Sequence, residues 1–529
     1  MRKIFTLFFC AASLATGLAQ QESYFTNPVI HGDVADPSII RIDQTYYITG
    51  TSSEWAPYYP VFTSTDLVNW QQTGHVFDEK PEWTKSSFWA PEWYQHKGKV
   101  YVYYTARKQS DNISCIGVAV ADSPTGKFKD HGPVVEFGKE AIDAFILEDK
   151  GKLYISWKAY GLDNQPIELL ACKLTDDGLR LDGKPFSLLR DDERQGMEGQ
   201  HWFKKDGYYY ISIPEGGVST GWQTVMRSKN IYGPYEQKRV LEMGSTKVNG
   251  PHQGALVDTP EGEWWFYHFQ STEPQGRVVH LQPVVWKDGF PEMGTDYDKN
   301  GIGEPMKICR KPSTSVETKA YAPQSSDDFE ATELGLQWQF NHNPHDGYWS
   351  LTEKPGWLAI KSQKAEKLRT AFNQFTQKTM GYKGVVTVKI DFAQLTPGGR
   401  AGIECIGNKF VGGGVIMEDK DGTATPRLYM EKDGTAQTTS FNISSVMDKG
   451  IYIRLEIDAV NNKHKFYYSV NNETFIEFGD TFESGSGDWK GSRIGLYSYN
   501  TQETSGTAYF DEFTYLFDGP GGLASTLSK

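Results

Sequence analysis

Cysteine is scarce. The 529 residues carry five, and beyond the N-terminal segment the remaining Cys115, Cys172, Cys309 and Cys405 lie far apart. No pair of them has the spacing of metal ligands, and they read as buried apolar thiols. Basic runs are missing too. A net charge of −13 with no long stretch of Lys or Arg argues against nucleic acid and anionic membrane surfaces as partners. No segment after the N-terminus keeps a helical period, so the expected fold class is all-β. The one long apolar run, residues 4–14, is short for a membrane span, which takes about 20 residues. Behind Arg2 and Lys3 and ahead of Gly17-Leu18-Ala19, it reads as a cleaved export signal over residues 1–19, implying a periplasmic or secreted protein. Cys10 lies inside that run with no small residue before it, which argues against a lipid anchor.

What is abundant is aromatic and glycine content: 29 Tyr, 29 Phe, 15 Trp and 53 Gly, suiting an all-β chain with many tight turns. The length predicts two or three domains. One phrase recurs, an inner strand opening on a distinctive residue, then a turn, then an aromatic-rich strand. Its heads are Asp36, Trp89 (with Glu92 close behind), Asp143, Glu198 and His252, at steps of 53, 54, 55 and 54 residues. Such a period is the signature of propeller blades, and five units predict five blades. The segment 24–30 is expected to close the ring by pairing with the last blade near Val278 to Trp286. The propeller is expected over residues 24–319, ending in a polar connector. A β-sandwich is expected over residues 325–529, where short alternating runs are split by Asn-Asn and Asp-Gly turns. Its Trp338, Trp349 and Trp357 suit either core packing or polysaccharide binding, and packing is the commoner use.

In a propeller the inner strands face a central channel, so the heads converge there. Three acids in one pocket are costly unless they pair, bind a cation or share protons. Beside aromatics, with no sign of an ionic partner, they point to glycoside hydrolysis. One acid is protonated to serve the leaving oxygen, one is ionised to activate water, and a third raises the proton donor's pKa by repulsion.

Several phrases together carry a resemblance: Asn27-Pro28-Val29-Ile30 with Ala35-Asp36-Pro37-Ser38, Trp89-Ala90-Pro91-Glu92, Asp143, Met197-Glu198-Gly199, Glu215-Gly216-Gly217 and Leu281-Gln282-Pro283-Val284. They resemble family 43 glycoside hydrolases, five-bladed propellers that cleave pentose glycosides with inversion. The stretch Leu334 to Pro344, with Trp349 to Glu353, resembles the concanavalin-like C-terminal sandwich of that family's β-xylosidase-type members.

The resemblance implies Asp36 as general base, Glu198 as general acid and Asp143 as the residue that tunes and orients Glu198. It implies that Arg277 contacts sugar hydroxyls. It also places His252 on the channel axis beside a cation, often calcium, or a water cluster; a neutral core histidine is the alternative reading. Trp89 is expected to stack on the sugar, Trp55 to line the pocket rim and Glu215 to accept sugar hydroxyls. No cofactor is required for the chemistry. The expected partner is an arabinose- or xylose-containing glycan, acted on by a monomer from its non-reducing end. An endo-acting arabinanase and a non-catalytic sugar-binding propeller are the competing readings. Long loops after Thr51, around residues 80–87 and around residues 161–166 favour a closed pocket and exo action.

Overall fold

The computed structural model describes residues 24–30, 32–137, 140–160, 167–190, 196–314, 316, 321–487 and 490–518. Residues 1–19, read as an export signal, and Cys10 fall outside these residues, as does the 161–166 loop.

Five consecutive four-stranded sheets form a five-bladed propeller. The inner strands are Ser38–Ile42, Thr84–His96, Glu140–Asp149, His201–Lys205 and His252–Asp258. In blades two, three and four the first hairpin closes through two residues: Lys97-Gly98, Lys150-Gly151 and Asp206-Gly207. Both residues of each pair have positive φ, the geometry of a type I′ turn, and glycine fills the second place at no steric cost. The aromatic-rich second strands then stack blade on blade. An apolar cluster lies between every pair of neighbours, such as Tyr103, Ile146, Ile155 and Trp157 between blades two and three.

Ring closure differs from the sequence expectation. Tyr24–Thr26 pairs with Ile308–Arg310 of the connector, not with the last blade. Beyond Pro28, which has no N–H to donate, contact with the last blade reduces to isolated bonds. Val29 N–H donates to Val279 O at 2.8 Å, and the Asn27 side chain brackets the Leu281 N–H and C=O.

The rest of the chain builds a concanavalin-like sandwich of a nine-stranded and a seven-stranded sheet. Trp338 is buried between Phe329 and Phe513, and Trp349 packs on Phe340 and Phe375, so both serve the core. Trp357 is half-buried under the Lys354 ammonium. The two domains share a sheet: Trp55–Ala56 of blade one pairs antiparallel with Gln339–Asn341 and is the edge strand of the nine-stranded sheet. The four cysteines among the described residues are free and buried.

Candidate active site

Near the head of each inner strand a residue takes a left-handed φ: Asp36 (53°), Ala90 (34°), Asp143 (58°), Gly199 (53°) and Gln253 (29°), with Ser87 (64°) a second in blade two. Where pairing has already begun, the ladder slips at that residue, as between Ile142 and Phe145 and between His252 and Gly254. Non-glycine residues in this region are strained, and they persist where the surroundings over-determine them. Asp36 and Asp143 are themselves the kinked residues, whereas Trp89, Glu198 and His252 stand one place before the kink.

Asp36 is buried. Its carboxylate accepts from Thr51 Oγ1 at 2.5 Å and from Arg277 Nη1 at 3.1 Å. Thr51 Oγ1 itself accepts the Ala90 N–H at 2.7 Å, which leaves its hydroxyl proton for Asp36. Arg277 lies over the Phe269 ring, 4.6 Å from its centroid, so the guanidinium is held flat beside the acid.

Asp143 is tied to blade four. Its carboxylate accepts the Gly199 N–H at 2.9 Å and its carbonyl accepts Gln200 Nε2 at 2.6 Å, which fixes the backbone that carries Glu198. Burial, with Glu198 and Asp36 as negative neighbours, pushes the Asp143 carboxyl up to about 7. Glu198 moves the other way. Burial alone would raise it, but Lys158, with His252 and Arg277 also near, draws it below the ordinary carboxylate range. Lys158 Nζ stands 2.8 Å from Glu198 Oε2. The like-charge repulsion expected to act on Glu198 therefore appears on Asp143, because a buried ammonium neutralises Glu198. Lys158 was missed in the sequence reading. Its signal was a lone cation inside the buried run Ile155-Ser156-Trp157-Lys158-Ala159.

His252 is fully buried, with Nε2 3.5 Å from Glu198 Oε1, and neither ring nitrogen makes a hydrogen bond. Burial drives its pKa down to about 4, so the ring is neutral at ordinary pH. Calcium takes six to eight oxygen ligands. Among the described residues no group of three or more His, Cys, Asp or Glu is placed to hold a metal, so no carboxylate cluster supports the calcium expected beside His252. Its orphaned nitrogens suit water or a sugar hydroxyl.

Trp89 is half-buried beside Ala90, with the Arg107 guanidinium 5.5 Å from its ring centroid. Glu92 is buried and accepts from Ser38 Oγ at 2.8 Å. Glu215 is buried and accepts from Thr224 Oγ1. Gly217, two residues on, packs against Gly196, two residues before Glu198, so the Glu215 turn borders the cluster. Trp55 corrects the sequence expectation. It is buried in the domain seam, stacked on Arg493 at 4.3 Å and clustered with Leu368, Tyr429 and Tyr497, because its strand belongs to the sandwich sheet. The sandwich also reaches towards the acids. Lys490 Nζ donates to Thr51 O at 2.7 Å and pairs with Asp33 Oδ2 at 2.7 Å, bracing the segment that holds Asp36.

A five-bladed propeller with three convergent carboxylates, a clamped arginine and a half-buried tryptophan describes a glycoside hydrolase. Residues 25–291 match the family described as Glycosyl hydrolases family 43, and residues 326–516 match the Beta xylosidase C-terminal Concanavalin A-like domain. The chain belongs to glycosyl hydrolase family 43. It is 33% identical to a "Beta-xylosidase" of Formosa agariphila, over 95% of this chain and 92% of that one. It is 28% identical to the "Non-reducing end alpha-L-arabinofuranosidase BoGH43B" of Bacteroides ovatus, over 93% and 94% of the two chains. Among solved structures it is similar to the GH43 BlXynB protein of Bacillus licheniformis, with a TM-score of 0.79, 26% identity, and coverage of 93% of this chain and 99% of that one.

Proposed function

We propose that this glycoside hydrolase removes β-D-xylosyl or α-L-arabinofuranosyl groups from the non-reducing ends of plant glycans, with inversion. The observation that carries the reading is the opposed environment of the acids. Asp36 sits against a guanidinium and a hydroxyl donor, while burial, with Glu198 and Asp36 as acidic neighbours, pushes the Asp143 carboxyl up to about 7.

Asp36 takes a proton from water as the water oxygen attacks the anomeric carbon. The glycosidic C–O bond breaks, and the leaving oxygen takes its proton from Glu198. The proton shared with Asp143 is the one delivered through Glu198, and Asp143 holds the Gly199 backbone so that Glu198 keeps its aim. Arg277 orients Asp36 and contacts sugar hydroxyls, and Trp89 offers an apolar face. Glu215 accepts a hydroxyl at the border of the pocket. Relatives named for xylosidase and arabinofuranosidase activities support both sugars, and arabinofuranose is narrowly preferred. The protein is exported, on the reading of residues 1–19, and acts as a monomer. Among the described residues no helix is long and apolar enough to cross a membrane.

Hydrolysis of p-nitrophenyl β-D-xyloside and α-L-arabinofuranoside, with the released anomer followed by NMR, tests this. Inverted product is expected, with a loss of about 10²–10⁴ in kcat on Glu198→Gln. Retained anomer, or full activity of Glu198→Gln, would overturn the assignment.

A further inference from the structure

A second cavity, of about 630 Å³, lies between the last blade, the connector and the sandwich. That is within the size of small-molecule sites, about 300–1,000 Å³. None of the acids described above lines it. It lies on the reverse side of the strand Gly276–Lys287: Val278 lines the cavity, while its neighbour Arg277 reaches Asp36.

Three features of its wall define a ligand. Tyr297 and Tyr382, from the connector and the sandwich, line it while 51% and 49% exposed, and exposed tyrosine faces are the surfaces on which sugar rings stack. A buried acceptor waits there as well. Gln270 donates through Nε2 to Lys247 O and Asn249 Oδ1, so its Oε1 accepts from His280 Nε2 at 3.1 Å. The imidazole proton is thereby placed on Nε2, and His280 Nδ1 is left as a buried lone pair with no partner among the described residues. Such an atom calls for a hydroxyl or N–H donor. Finally, the wall carries Lys247 and Lys307 and no carboxylate, on a chain of net charge −13. Neither lysine has an ion-pair partner among the described residues.

We propose that this cavity is a second, non-catalytic saccharide site that takes an acidic oligosaccharide. Its ring faces meet Tyr297 and Tyr382, a hydroxyl donates to His280 Nδ1, and the carboxylate of a uronic acid unit lies between Lys247 and Lys307. The choice of a glycan rests on the glycosidase reading; the site itself is built independently of the catalytic acids.

The test uses the full chain carrying Asp36→Asn, so that no hydrolysis intervenes, titrated calorimetrically with xylotetraose and with xylotetraose bearing one glucuronosyl group. The acidic probe is expected to occupy one more site than the neutral one. Adding Tyr297→Ala with Tyr382→Ala should weaken that extra site at least tenfold, and Lys247→Gln with Lys307→Gln should abolish the preference for the acidic probe. In the wild-type background both pairs of substitutions should leave kcat/KM on p-nitrophenyl pentosides within twofold and the melting temperature unchanged. A single site for both probes, or equal binding of the two at the second site, would overturn the proposal. Loss of pentosidase activity in the unmodified chain would instead count against the glycosidase reading, leaving the binding result to be judged separately.

Discussion

Replacing Lys158 by Met tests how the proton of the acid pair is set. Lys158 Nζ lies 2.8 Å from Glu198 Oε2, is buried, and supplies the strongest pull on that carboxyl. An opposite charge this close typically stabilises a carboxylate by about one to three pH units. Because Asp143 and Glu198 titrate together, removing the ammonium raises the proton affinity of the pair as a whole. The wild-type alkaline limb of kcat/KM is expected near pH 7, where the Asp143 carboxyl loses its proton. In Lys158→Met it should move up by about one unit or more, the lower end of that effect. Lys158→Arg, which keeps the charge, should leave it in place. The assay is the pH profile of kcat/KM on a chromogenic pentoside, with kcat measured separately to follow the substrate complex. A purely structural lysine would lower activity at every pH without moving the limb. An unmoved limb, or one displaced to lower pH, would refute the reasoning.

Three further outcomes follow from the same geometry. Asp33 is buried among Lys490, Lys378 and Arg493; burial alone would raise its carboxyl, but these cations bring it down to about 2. Asp33→Asn strands the cations and should cost about 3–5 kcal/mol in urea denaturation at pH 7, with loss below about 1 kcal/mol counting against the network. Burial, opposed by Asp33 but reinforced by Lys490 and Arg493, lowers the Lys378 ammonium from 10.5 to about 7. Between these values the unfolded chain binds more protons than the folded one, so stability rises with pH across that window and the penalty is complete below about 7. Lys378→Met should therefore be more stable than the parent by at least about 1 kcal/mol at pH 6. The gain should shrink towards pH 10; a constant gain would show that the charge is not the cause. Gly199 has φ of +53°, and a Cβ there would lie 2.6 Å from the Gln253 side chain. Gly199→Ala should cost about 1–2 kcal/mol in melting experiments and lower kcat more than it raises KM, since Asp143 holds the Gly199 N–H; an unchanged kcat would show that Glu198 tolerates the shift.

Much of the channel was legible because a propeller repeats. Asp36, Asp143 and Glu198 stand at nearly one phase of a period near 54 residues, and repetition turns spacing along the chain into convergence in space. The one-residue offset between the two aspartates and Glu198 was hidden, since it depends on which residue of each strand takes the left-handed kink. Trp55 was misplaced for a related reason. Two residues of blade one pair with a strand nearly 300 positions later, and local pattern carries no trace of such a partner. Lys490 reaches Thr51 across 439 positions for the same reason.

By itself the sequence determined the number of blades and the sandwich behind them, and it put the three acids forward as candidates, because turn chemistry, strand alternation and repeat length are local properties. Only the tertiary structure decided which acid keeps its proton. That depends on the separation of Lys158, Glu198 and Asp143 in a buried space, where a few ångströms between charges outweigh the identity of any one of them.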